Sequence, residues 1–318
     1  MKKICNYINK PSLNIFLGLA LLSFSCKRDK EIAPQNINSN GSISDCENIP
    51  PFQQVGSGYN YTIEGESYNF PEFNPNNNDE FLITKDDSIF IFSRLSNQKV
   101  FAFKFPFWNK ISWSRKNWLI MNGLDQKVYK IKPNGDSLTI LINSVGNFYP
   151  IWNNNGTMFC AQNSTINKTI IYNDNGLALD TINISNHPSS DWDSHNKIIW
   201  GLTTLNFYDL NTHANHSLFS LASGTGSFNG YFWLNSNEII CSYTYGIFKT
   251  NILNNSTVTL KQTCNSNVYS YPTFDSTLNK IIWKKQLQTL INDYNVKVVN
   301  KIVITDINCT NETEINLH

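Results

Sequence analysis

Residues 150–159 read Pro150-Ile151-Trp152-Asn153-Asn154-Asn155-Gly156-Thr157-Met158-Phe159: an apolar strand that ends in a large aromatic residue, a polar turn, and a second apolar strand. This pattern occurs six times, at intervals of 39 to 41 residues. A fixed period of about 20 to 50 residues is typical of solenoids, propellers and other repeat folds. The aromatic residue of the pattern stands at Phe73, Trp113, Trp152, Trp192, Trp233 and Phe274.

Each repeat divides into four short strands. In the third repeat, alternating apolar residues and Asn/Gly-rich turns predict strands over 148–152, 157–162, 169–172 and 177–182. A four-stranded sheet with two apolar faces is not stable alone, and radial stacking of such sheets buries both faces and leaves few exposed edges. The sequence therefore predicts an all-β fold: a six-bladed β-propeller of four-stranded antiparallel blades, with the repeated aromatic side chains packed between blades.

The propeller is predicted to occupy residues 56–318, and closure of the ring needs strands from both ends of this region. Thr313 to Leu317 can supply the last strand of the sixth blade. Tyr59 to Ile63 either pairs outside that strand or replaces it. Residues 286–298 lengthen the sixth repeat and predict a protruding hairpin.

The amino-terminal residues 1–25 are predicted to be a signal peptide. Three lysines precede the apolar stretch Leu13 to Leu22, which is shorter than the roughly 18 to 20 residues needed to span a bilayer. Ser25-Cys26 resembles the lipobox of bacterial lipoproteins, in which Cys26 would carry palmitate and begin the mature chain. Ordinary cleavage after Ser25 is the alternative. Residues 26–55 then form the lipidated cysteine and a polar, flexible linker, which predicts a protein anchored to the outer membrane.

Charge and cysteine usage exclude some functions. The net charge is +1 and only 15% of residues are charged, so no field of one sign attracts nucleic acid or an anionic bilayer from a distance. Cys160 and Cys241 lie in apolar strands and are predicted to be small core residues. Cys46, Cys264 and Cys309 permit one disulfide in an oxidising compartment without defining the pair.

Three copies of the repeat carry a resemblance to a known family. Pro150-Ile151-Trp152-Asn153-Asn154-Asn155-Gly156, Pro272-Thr273-Phe274-Asp275 and Pro71-Glu72-Phe73-Asn74-Pro75 are similar to the Pro-x-Trp-Ser-Pro-Asp-Gly-Lys repeat of the TolB-type, WD40-like propellers. Some peptidases of the prolyl oligopeptidase class share this repeat. The resemblance covers residues 70 to about 316 and implies the same six-bladed fold in a bacterial envelope protein.

Two candidate sites follow from the predicted blade geometry. The first is a metal site on the face that carries the a–b and c–d turns, where loop carboxylate and imidazole groups of the fourth blade come together; the alternative is that these groups are simply solvated. Its residues are Asp193, His195, His213 and His216.

The second candidate site is a ligand face at the entrance to the central channel. Aromatic and charged groups near the repeated aromatic positions can bind a sugar or a peptide end, and the alternative is that they are ordinary packing and rim residues. These residues are Glu72, Lys110, Tyr149, Asp191, Tyr231 and Tyr271.

Enzyme motifs are missing from the sequence. It contains no Gly-x-Ser-x-Gly elbow, phosphate loop or dinucleotide fingerprint, and no cofactor is expected. The first hypothesis is therefore an exported, membrane-anchored lipoprotein whose propeller binds an envelope protein or a glycan and no nucleic acid. The second is a carbohydrate-active hydrolase or lyase with its site at the mouth of the channel.

Overall fold

The computed structural model describes residues 60–184, 191–192, 196–221, 227–243, 245–263, 267–292 and 295–317. Within these ranges all regular secondary structure is β-strand, arranged in six sheets that form the blades of a ring. The predicted six-bladed β-propeller is confirmed. In the same ranges, no helix has the length and apolar character required to cross a membrane. The predicted signal peptide, Cys26 and the linker lie outside the described residues.

The strands follow the chain from β1 (Asn60–Ile63), which precedes the first blade. Blade one contains β2 (Asn69–Phe73), β3 (Glu80–Lys85), β4 (Ser88–Ser93) and β5 (Gln98–Lys104). Blade two contains β6 (Phe107–Trp113), β7 (Leu119–Gly123), β8 (Val128–Ile131) and β9 (Thr139–Ile142). Blade three contains β10 (Asn147–Trp152), β11 (Met158–Asn163), β12 (Lys168–Asn173) and β13 (Ala178–Ile182).

The second half of the ring repeats this arrangement. Blade four contains β14 (Asp191–Trp192), β15 (Lys197–Trp200), β16 (Thr204–Asp209) and β17 (Ala214–Ser220). Blade five contains β18 (Phe228–Asn235), β19 (Glu238–Tyr243), β20 (Gly246–Asn251) and β21 (Ser256–Gln262). Blade six contains β22 (Asn267–Asp275), β23 (Lys280–Asn292), β24 (Asn295–Asp306) and β25 (Thr313–Glu314).

The repeated aromatic residues pack between neighbouring blades, as predicted. Trp113 of blade two packs with Leu82 and Ile89 of blade one. Phe73 of blade one packs with Ile282 of blade six, which closes the ring. Burial of side chains of this size contributes about 1.5 to 3 kcal/mol each, so the spacing of the aromatic residues accounts for much of the cohesion between blades.

Both ends of the described chain share the outer edge of β24. β1 pairs in parallel with residues 295–298, and β25 pairs antiparallel with Val303 and Ile304. The carboxyl-terminal strand completes blade six as predicted. The amino-terminal strand neither pairs outside β25 nor replaces it, because β1 pairs directly with a different part of the same edge of β24. β23 and β24 form the predicted long hairpin, whose two strands extend well beyond those of the other blades.

A charged cluster attaches the carboxyl-terminal segment to blade six. Glu312 accepts hydrogen bonds from Tyr269 Oη at 2.5 Å and Lys285 Nζ at 2.7 Å, and Lys261 Nζ lies 3.1 Å away. Burial alone would raise the pKa of Glu312, but these donors and the charge of Lys261 lower that pKa to about 2. Glu312 therefore remains ionised and fixes the chain after β24.

The cysteine predictions are confirmed where the structure describes the residues. Cys160 and Cys241 are fully buried in the core, and burial raises the pKa of both thiols. Cys309 is a buried free thiol. Cys46 and Cys264 lie outside the described residues.

Candidate site in the central channel

The innermost strand of each blade lines a central channel. These strands run in the same direction, so their first residues meet at one end of the channel and their last residues at the other. Two chambers result. One, of about 330 Å³, is lined by the beginnings of the strands, and the other, of about 310 Å³, by their ends and the following turns. Both volumes lie at the lower end of the range for ligand sites, about 300 to 1,000 Å³.

Bulges in the innermost strands shape the first chamber. The register with the second strand shifts in blades one, two, three, five and six. Each shift contains a residue with positive φ: Phe70 at +48°, Asn109 at +66°, Tyr149 at +53°, Gly230 at +153° and Tyr271 at +50°. Positive φ is unfavourable for bulky residues, and such strain concentrates at functional sites. All five residues line the chamber.

Aromatic rings surround one side of this chamber, which we call the aromatic chamber and define by the five bulge residues together with Lys110 and Asn229. Phe70 contacts Tyr271, with ring centroids 4.7 Å apart, and Phe107 at 6.5 Å. Phe148 lies between Trp108 and Tyr149, at 6.4 and 6.3 Å. These rings come from blades six, one, two and three. Phe70, Tyr149 and Tyr271 line the chamber itself, and Phe107, Phe148 and the 51% exposed Trp108 extend this aromatic cluster beyond it.

Titratable groups around the aromatic chamber are partly shielded from water. Burial raises the pKa of Tyr149 and of Tyr271, and the neighbouring Tyr149 raises that of Tyr271 further. Burial lowers the pKa of Lys284, whose Nζ lies 6.0 Å from the centre of the Tyr271 ring and donates a hydrogen bond to Asn69 Oδ1. The chamber is thus a setting in which hydrogen bonds and charges act strongly.

The second chamber carries the carboxylates. We call it the acidic chamber and define it by Glu72, Asp191 and Asp275, with Trp113 and Trp233 in its wall. Asp275 is 7% exposed, and its Oδ1 accepts the backbone N–H groups of the turn that follows β22. Three carboxylates line the chamber against two cations, Lys110 and the exposed Arg115.

Lys110 lines both chambers and links them electrostatically. Its Nζ lies 3.1 Å from Glu72 Oε2, and both side chains are mostly buried. Asp191 accepts the backbone N–H of Trp233 at 2.7 Å. Burial raises the pKa of Asp191 to about 6, against the lowering effect of Lys110, and Glu72 raises it further. Asp191 is therefore ionised at pH 7 and takes up a proton just below pH 6.

Five of the six residues predicted for the ligand face lie together around the channel, but they divide between the chambers. Tyr149 and Tyr271 line the aromatic chamber, Glu72 and Asp191 the acidic chamber, and Lys110 both. Tyr231 lies in the wall of the aromatic chamber, but it is 1% exposed and packs in the core between blades four and five.

The predicted metal site is described only in part. Asp193 and His195 lie outside the described residues. His213 is in the turn before β17, with Nδ1 3.8 Å from Asp180 Oδ2. His216 lies in β17 rather than in that turn, because the strand begins at Ala214, and its ring stacks on Phe207 at 4.5 Å. The residues that the structure describes contain no group of three or more metal-ligating side chains.

Sequence reasoning missed Asn109, Asn229 and Lys284. The signal for the bulges was present, because an aromatic residue precedes proline in Phe70-Pro71, Tyr149-Pro150 and Tyr271-Pro272. Proline has no N–H to donate to a ladder and is confined to edges, strand starts and bulges. Its recurrence within innermost strands therefore indicates where pairing breaks. No comparable signal marks Lys284.

Comparisons with known proteins identify the fold. No family model matches the chain, and no curated protein matches it in sequence. Among solved structures, a protein described as TolB from Agrobacterium tumefaciens is 14% identical, with a TM-score of 0.56 over 72% of this chain and 88% of that one. Regucalcin, a calcium-binding protein of Agrobacterium tumefaciens, is 9% identical, with a TM-score of 0.53 over 73% of this chain and 89% of that one.

A third match is to a chain of the nidogen/laminin complex, 8% identical with a TM-score of 0.51, covering 73% of this chain and 85% of that one. Identities this low establish the fold alone. The chain is a six-bladed propeller that is similar in architecture to TolB, and a scaffold of this kind hosts many unrelated functions.

Proposed function

We propose that the chain is an exported lipoprotein of the cell envelope whose propeller binds a glycan in the aromatic chamber. The observation that carries the proposal is the partial ring of aromatic side chains from four blades beside the amide groups of Asn109 and Asn229. Aromatic faces pack against the C–H faces of sugar rings, and a few placed polar groups orient a ligand. An envelope protein that inserts a side chain into the same chamber is the other form of this binding function.

Anchoring is supported by the basic start, the short apolar stretch and Cys26 in the sequence. Metabolic labelling with a palmitate analogue tests it. The wild-type chain is expected to incorporate label and sediment with membranes, while Cys26→Ser is expected to remain unlabelled. Labelling of neither form, with release of the protein in soluble form, contradicts the anchor and leaves the binding proposal intact.

Binding is tested by retention on immobilised envelope polysaccharides. Trp108→Ala is expected to reduce retention at least about tenfold, because stacking contacts of aromatic side chains dominate such sites. The matched control is Phe101→Ala, which removes an aromatic ring of similar exposure (56% against 51%) from the outer strand of blade one, far from the channel. Equal losses for both variants contradict a role for the chamber.

A second candidate function is glycan cleavage, favoured by one observation. Asp191 combines burial, a pKa of about 6 and the neighbouring carboxylate Glu72, and raised carboxyl pKa values are typical of general acids in glycosidases. Cleavage predicts new reducing ends or unsaturated products on incubation with polysaccharide, and their loss in Asp191→Asn with retention unchanged. Retention without products supports the binding function alone.

A further inference from the structure

Unpaired hydrogen-bond donors lie in the wall of the aromatic chamber on opposite sides of the channel. Asn109 Nδ2 of blade two and Asn229 Nδ2 of blade five are buried and have no hydrogen-bond partner. Buried polar groups without partners are rare in folded proteins, and each needs an explanation such as a missing ligand. Both residues line the chamber, so a rotation of either side chain would let it donate to an acceptor bound there.

One cation lines the same chamber, and a second lies beside its wall. Lys110 is a lining residue, while none of the described lining residues is acidic. Lys284 is not a lining residue, but its Nζ lies 6.0 Å from the centre of the Tyr271 ring, and burial lowers its pKa. Among the described residues its one hydrogen-bond acceptor is the neutral amide of Asn69. A desolvated ammonium without a counter-ion is unfavourable, and an anionic ligand would relieve that cost.

The geometry points to a ligand that carries a carboxylate on a sugar ring, and this inference rests on the proposed glycan-binding function. We infer that an acidic oligosaccharide of the uronate class stacks on the aromatic rings, with its several carboxylates directed to Lys284, Lys110 and the two unpaired amides. Charge-assisted hydrogen bonds of this kind are about twice as strong as neutral ones. The acidic chamber, in contrast, would repel the same group.

The test compares two matched ligands on the full-length protein in detergent by calorimetric titration. One is an oligosaccharide of glucuronic acid, and the other is the same oligosaccharide with its carboxylates chemically reduced to alcohols. The acidic form is expected to bind at least about tenfold more tightly. Lys284→Met is expected to remove this preference while leaving affinity for the neutral form unchanged.

Control variants separate loss of the site from loss of the fold. Lys280→Met removes a lysine four residues earlier in the same strand, where Lys280 pairs in register with Asp275 rather than with Ser270 of the aromatic chamber, and should leave both affinities unchanged. Asn229→Ala should weaken binding of the acidic form in the same direction as Lys284→Met. Thermal unfolding of each variant confirms that it is folded.

The outcomes are distinct. Equal affinity for the acidic and reduced forms overturns the inference and leaves glycan binding in place. Absence of binding of either oligosaccharide overturns both proposals. Binding of a peptide with a free carboxyl terminus, abolished when that terminus is amidated, identifies a protein partner instead and overturns the assignment to sugars.

Discussion

The two chambers lie at opposite ends of the same innermost strands, yet they differ in chemistry. At the beginnings of the strands, bulges in blades one, two, three, five and six place aromatic and amide residues along the channel, with Lys110 and no described carboxylate in the wall. At the ends, Glu72, Asp191 and Asp275 lie along the channel beside the aromatic residues that join the blades. The bulges therefore mark the end of the channel that differs from the repeated pattern.

The unpaired polar groups sharpen this contrast. In the acidic chamber they are of both kinds, since the indole nitrogens of Trp152 and Trp233 and one oxygen of Asp275 lack hydrogen-bond partners. Those indoles belong to side chains that pack between blades, where their role is structural. In the aromatic chamber the unpaired groups are donors. In such a repeated scaffold, residues at one end of the channel can hold the blades together while residues at the other end are available to bind a ligand.

The largest expected effect comes from adding a side chain at Gly230, the glycine among the five bulge residues of the aromatic chamber. Blade five has Gly230 where blades one, three and six have aromatic residues, and a Cβ added there would lie 2.4 Å from Pro272 Cδ. Gly230→Ala is expected to lower the free energy of unfolding by about 2 to 4 kcal/mol through strain and overpacking, measured by urea denaturation. Gly65 also has positive φ, but a Cβ added there would have no atom within 4 Å. Gly65→Ala should therefore lower the free energy of unfolding by only about 1 kcal/mol.

Removal of the cation between the chambers is expected to have the next largest effect. In Lys110→Met the carboxylates of Glu72 and Asp191 lose their shared counter-ion in a largely buried setting, which should cost about 2 to 3 kcal/mol of unfolding free energy. The control is Lys104→Met, because the Lys104–Asp87 pair is similar in length, 3.3 Å, but 66% and 40% exposed. That variant should change stability by less than about 0.5 kcal/mol.

Sequence reasoning succeeded for the packing between blades and failed for the chambers. The packing could be predicted, because Trp113 and its counterparts recur with a fixed period and burial at one face of a strand obeys a period of two. The two chambers could not be separated, because the predicted ligand face combined Glu72 and Asp191 with Tyr149 and Tyr271 and did not include Asp275.

The aromatic chamber in particular could not be assembled in full. Its bulges break the period of two. Tyr231, which its distance from Trp233 in the sequence placed on the ligand face, therefore lies in the core. Asn109, four residues before Trp113, lies in the chamber instead.

The pH dependence of stability should distinguish Asp191 from the other carboxylates, with a smaller effect than the two variants above. Its pKa is raised to about 6 in the fold, so the native state binds more protons than the unfolded chain between about pH 4 and 6, and stability due to this group falls as pH rises through that window. On going from pH 4.5 to 7, the wild type should lose about 2 kcal/mol of unfolding free energy that Asp191→Asn does not lose. Glu312→Gln should show the opposite sign in a lower window, because the pKa of Glu312 is lowered to about 2 and its contribution is lost as pH falls below about 4.5.

The smallest expected effect couples the two chambers. When Asp191 is protonated below about pH 6, Lys110 is left with Glu72 as its neighbouring carboxylate, so its positive charge is less compensated toward the aromatic chamber. Loss of the Asp191 charge should change the electrostatic energy of a carboxylate bound near Lys110 by about 1 kcal/mol. The affinity for the acidic oligosaccharide should therefore rise about fivefold between pH 7 and 5, while the reduced, neutral form and the Asp191→Asn variant show little change. An affinity that is constant or falls over this interval means that the chambers act independently, because the uronate itself remains ionised throughout.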